Sequence, residues 1–102
     1  MARLSTHVLD TSRGQPAAGM QVRLYAGGTL VATVDTNADG RALAAESVPA
    51  GIYDLVFSIG AYFESSPFLE DVVVRFRIAD PAANYHVPLL VSPFGYTTYR
   101  GS

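Results

Sequence analysis

Two histidines, His7 and His86, are the side chains of this sequence that change charge near neutral pH without special surroundings. Each lies in a stretch that alternates apolar and polar residues, so each is expected on a strand rather than in a loop. A histidine placed this way can move a proton at a carbonyl centre, or can be a solvated bystander. Arg41 is the third residue of note. Its guanidinium fork suits a planar amide or an anion, although an arginine just past a tight turn is also a common solvated charge.

Other chemistries find little support. A metal centre wants three or four ligands, and neither histidine has carboxylates at ligand spacing, so no cofactor is expected. Neither a Gly-x-Ser-x-Gly elbow nor a Ser-x-x-Lys motif occurs, which disfavours a covalent serine route. Asp35, Asp39, Glu64, Glu70, Asp71 and Asp80 sit at turns or strand ends, unpaired for glycosidase work, and read as surface charge. The absence of cysteine removes disulfides and thiolate chemistry and fits a reducing, cytoplasmic setting. All 7 basic residues are arginine and the net charge is -2, so no basic stripe exists for nucleic acid. No apolar run approaches the roughly 18 residues of a membrane span, and "MARLSTHVLD" lacks a signal-peptide core, so a soluble protein without a membrane partner is expected.

The elements that must carry these residues are strands. A chain of 102 residues, 49% apolar and 16% charged, fits one folded domain over residues 1–102. Short β-rich segments are separated by Gly, Pro, Asn and Asp at intervals of about ten residues, the spacing of a sandwich or barrel. Residues 4–10 place Leu4, Thr6, Val8 and Asp10 on one face, and Ser5, His7 and Leu9 on the other. Met20, Val22 and Leu24 share a face of the next strand, and Gly27-Gly28 turns it back into residues 29–36. "NADGR" forms a tight turn from which Arg41 opens a short strand. Residues 52–59, 71–78, 85–92 and 95–102 complete an all-β set of about eight strands in two packed sheets, and one short helix fits between Gly60 and Pro67. Pro88 suggests that its strand is a sheet edge or carries a bulge.

"STHVLDT", "NADGR" and "YHVPLLVSPFGYTTYRGS" together resemble the 5-hydroxyisourate hydrolases, the transthyretin-related proteins, in that family's order. Residues 14–57 also resemble prealbumin-like modules found beside carboxypeptidases; the C-terminal stretch is the discriminating part. The resemblance implies a transthyretin-like β-sandwich that hydrolyses 5-hydroxyisourate without cofactor or metal. It places the family's histidines on His7 and His86, its arginine on Arg41, and its terminal motif on Tyr99, Arg100, Gly101 and Ser102. His7, Arg41, His86 and Ser102 are thereby implied as catalytic, with Tyr99, Arg100 and Gly101 joining His7 and Arg41 in binding substrate. The Ser102 hydroxyl and a carboxylate at that position could orient either histidine or position water. Asn84 departs from the family, where many members have histidine, and residues 65–72 look short. The resemblance further implies a homotetramer, a dimer of dimers, with sites built between subunits. The competing readings are a transthyretin-like small-ligand binder without catalysis and a non-catalytic interaction module.

Overall fold

The alternation of residues 4–10 is realised in β1 (Ala2–Asp10), where Leu4, Thr6, Val8 and Asp10 are buried while Ser5, His7 and Leu9 look outward. In this computed structural model, which describes residues 1–64 and 66–102, β1 is the hub of one sheet. It pairs antiparallel with β2 (Gln15–Pro16) and β5 (Arg41–Val48), and parallel with β8 (Tyr85–Ser92), which in turn pairs with β9 (Gly95–Thr98). The second sheet has the order β4 (Thr29–Asp35), β3 (Gln21–Ala26), β6 (Gly51–Ser58), β7 (Asp71–Ile78). α1 (Ile59–Phe63) follows β6 directly, one residue earlier than expected, and burial of Ile59 ties it to the core. The expected helical stretch includes Ser65, which lies outside the described residues.

The two sheets bury their facing sides against each other. Leu4, Val8, Val87, Leu89 and Val91 from the first meet Val22, Leu24, Leu55, Phe57 and Val72 from the second in one cluster. The Gly27-Gly28 hairpin forms as expected, both glycines at positive φ of 57° and 83°, the backbone a two-residue turn of this hand requires. The short β2 was not anticipated, because it pairs only Gln15 and Pro16 with Asp10 and Leu9 inside what reads as a turn.

Pro88 is on neither an edge nor a bulge. β8 lies between β1 and β9, and the register of Leu89 with Thr98 continues unbroken to the bridge of His86 with Gly101. That register puts Tyr99 opposite Pro88 in a position that calls for an N–H, which proline lacks. The ladder therefore opens there: β9 ends at Thr98, whose hydroxyl donates to the Pro88 carbonyl at 2.7 Å, and pairing resumes only at Gly101. Residues 95–102 are thus not the single continuous strand that the sequence suggests.

Asp10 closes β1 as a fully buried carboxylate. It accepts from the Ser12 and Arg13 amides, from the Ser12 hydroxyl, and from the Tyr62 hydroxyl at 2.9 Å. Burial pushes its pKa up, but the hydrogen bonds from Ser12, Tyr62 and Arg13 together outweigh it and hold the group below the ordinary carboxylate value. A depressed folded pKa contributes stability above the unfolded value, and that contribution is lost as pH falls through the folded one. Urea titrations should find Asp10→Asn less stable near neutral pH by about 1–3 kcal/mol. The gap to the unsubstituted protein should narrow on acidification toward about pH 3.

Candidate active site

The outward face of the β5–β1–β8 strands gathers the residues that the sequence singled out. Antiparallel register sets His7 opposite Arg41, and parallel register sets Ser5 beside His86 and His7 beside Pro88. Directly paired residues on one face bring their Cβ atoms within about 5 Å. Two histidines 79 positions apart in sequence (86 minus 7) therefore stand one strand apart on a common face.

Arg41 owes its place to the preceding turn. The Asn37 side chain accepts from the amides of Asp39 (2.9 Å) and Arg41 (3.0 Å), while the main chains of Asn37 and Arg41 bond at 2.9 Å. Gly40 holds a φ of 74°, and a Cβ there would collide with the Val8 carbonyl oxygen of β1. Its own carbonyl accepts from the Val8 amide at 2.8 Å, fastening the turn to the strand that carries His7. Gly40→Ala should lower stability by at least about 1–3 kcal/mol, read as a drop in thermal midpoint, because strain and collision act together.

A cleft of about 510 Å³ opens on this face, walled by Arg3, Ser5, Arg41, Asn84, His86 and Ser102 among others. His7 is not in its wall, yet it neighbours Arg41 and its charge acts on His86. The His86 ring is half-buried, with Nδ1 at 2.9 Å from the Ser5 hydroxyl. Burial lowers its pKa below the ordinary histidine value, the charges of Arg41 and His7 lower it further, and a hydrogen bond with the Ser5 backbone opposes them in part. The imidazole therefore stays neutral, with a lone pair on one ring nitrogen, to lower pH than an ordinary histidine does. A neutral imidazole beside a fixed guanidinium can take a proton from water while the cation faces developing oxyanion charge.

The C-terminal residues divide between two places. Gly101 bridges to His86, its amide donating to the His86 carbonyl at 2.7 Å, and Ser102 reaches the cleft. Tyr99 and Arg100 instead line a second, more apolar cleft of about 250 Å³ between β7 and β8. There the Arg100 guanidinium lies 4.2 Å over the buried Tyr85 ring, a cation–π contact. Ser5 and Arg3 were not anticipated as site residues; both follow from the alternation that turns His7 outward, since residues 3, 5 and 7 share that face. Among the described residues, no group of three or more His, Cys, Asp or Glu is placed to hold a metal ion. Among the same residues, no helix is long and apolar enough to cross a membrane.

A two-sheet sandwich with this strand order and an outward polar cleft belongs to the transthyretin-like class. The Klebsiella pneumoniae 5-hydroxyisourate hydrolase structure superposes with a TM-score of 0.89 at 40% identity, covering 98% of this chain and 99% of that one. Sea bream transthyretin, solved in complex with thyroxine, gives a TM-score of 0.86 at 35% identity over 96% and 93% of the two chains. The chain belongs to the HIUase/Transthyretin family, whose model matches residues 4–101. Among its relatives, 5-hydroxyisourate hydrolase 2 of Rhizobium meliloti is 48% identical, covering 98% of this chain and 96% of that protein.

Proposed function

We propose that this chain is a 5-hydroxyisourate hydrolase, opening the substrate's ring with water to give 2-oxo-4-hydroxy-4-carboxy-5-ureidoimidazoline. The observation that carries the reading is the register that brings His7, Arg41 and His86 onto one sheet face beside a cleft that Ser102 reaches. Water adds to the ring carbonyl carbon as a histidine takes its proton, and the carbonyl oxygen gains charge toward Arg41. Collapse breaks the ring C–N bond, and the proton goes to the departing nitrogen. No cofactor enters this sequence, and proton transfer by a placed histidine is worth about 100- to 10,000-fold. Ser102 orients a histidine or the attacking water. Gly101, Tyr99 and Arg100 hold the terminal segment in position for substrate, the last through its stacking on Tyr85.

The working form is a homotetramer, a dimer of dimers of a single domain spanning residues 1–102, acting in the cytoplasm. The outer edges of β7 and β9, which pair with no further strand among the described residues, support association through strand pairing. Generating 5-hydroxyisourate with urate oxidase and following its absorbance with and without the protein tests the activity. Clear acceleration over spontaneous decay is expected, and none would refute it. Likeness to transthyretin favours a second reading, a small-ligand binder without catalysis. Tight binding of an aromatic ligand together with no acceleration would support that alternative.

A further inference from the structure

The His86 ring is held at two of its edges by residues with no reacting group in the mechanism above. At one, Nδ1 lies 2.9 Å from the Ser5 hydroxyl, and Ser5 is its register partner on β1. At the other, Gly101 lies against the ring: a Cβ added there would fall 2.5 Å from His86 Cδ2 and 3.2 Å from Pro88 Cγ. Glycine at this position is set by that approach and not by backbone hand, because Gly101 is absent from the positive-φ glycines. The amide of Gly101 donates to the His86 carbonyl at 2.7 Å, so the backbone that presses on the ring is itself fixed to the ring's own residue.

With Nδ1 occupied and the Cδ2 edge covered, the Cε1–Nε2 side is the one left toward the cleft. The Ser5 hydroxyl engages Nδ1 in a hydrogen bond, and the partner of one ring nitrogen sets which of the two nitrogens of a neutral imidazole carries the proton. We infer that Ser5 and Gly101 are positioning residues that hold the His86 ring in one orientation and one tautomer, with its Nε2 side directed into the cleft. The consequence for rate rests on the hydrolytic reading; the tautomer does not.

Long-range proton–nitrogen correlation spectra of isotope-labelled protein, in mildly alkaline solution where the ring is neutral, read the tautomer without substrate. The unsubstituted protein should give His86 two resolved ring-nitrogen signals, one protonated and one unprotonated. In Ser5→Ala the two signals should move toward the average of both tautomers, and kcat should fall about 10- to 100-fold with KM nearly unchanged, as for other histidines oriented through their second nitrogen. Ser5→Thr, which keeps the hydroxyl, should restore both signatures. Gly101→Ala should disturb the ring signals and kcat in the same way while circular dichroism shows an intact fold.

Ring-nitrogen signals already at the average of the two tautomers in the unsubstituted protein would overturn the inference. So would a Ser5→Ala protein whose ring signals do not change, or one whose signals average while kcat stays at the unsubstituted level. The expected ring signature in a protein that leaves 5-hydroxyisourate decay unaccelerated would support the clamp and refute the hydrolase reading instead.

Discussion

Arg41→Ala is expected to lower kcat for 5-hydroxyisourate hydrolysis by about 100- to 1,000-fold, the usual cost of removing one group that stabilises an oxyanion. The size follows from where charge moves. The ring carbonyl is neutral in the bound substrate and gains charge only as water adds, so a guanidinium fixed beside it acts mainly on the transition state. The turn from Asn37 to Gly40 does the fixing through main-chain bonds that the substitution leaves in place. Arg41 is exposed in the chain, so trimming it should change stability by no more than about 0.5 kcal/mol. Steady-state kinetics together with a thermal melt therefore separate the two effects. Arg41→Lys should recover only part of the rate, since an ammonium keeps the charge but not the planar pair of donors. A full rate in Arg41→Ala would remove the guanidinium from the mechanism.

The parts of the fold that were legible in the sequence are those set by local periodicity. Period-two alternation in residues 4–10 gave the buried and outward faces of β1 correctly, and with them the outward direction of His7. Gly27-Gly28 and "NADGR" were readable as turns because their chemistry is confined to a few neighbouring residues. What alternation could not supply is which strands are neighbours. The parallel pairing of β1 with β8, which sets Ser5 beside His86 across 81 positions, depends on the packing of both sheets and leaves no local trace. Pro88 shows the same limit: a proline discourages pairing on one side only, and β8 uses its other side for β1 while the β9 ladder opens around the missing donor. Ser5 was passed over because a strand hydroxyl is ordinary. Its partner became visible only with the register.

The second large effect concerns His86. His86→Asn should lower kcat/KM by at least about 100-fold, and it should also remove the acid limb of the pH profile. In the unsubstituted protein that limb reports the free enzyme's imidazole, whose pKa burial depresses first and the charges of Arg41 and His7 depress further. The sign is fixed: a lowered pKa keeps the ring neutral to lower pH, so kcat/KM should hold its plateau below the ordinary histidine value of about 6.5 and fall only in more acidic solution. Removing a positive neighbour should reverse part of the depression. The residual activity of Arg41→Ala should therefore lose its plateau at a higher pH than the unsubstituted protein does, even as its maximum drops. Loss of the guanidinium thus has two readouts, a lower rate and a displaced limb, and a purely structural role would not produce the second. A His86→Asn protein that keeps the same acid limb would show that the limb does not report the His86 imidazole.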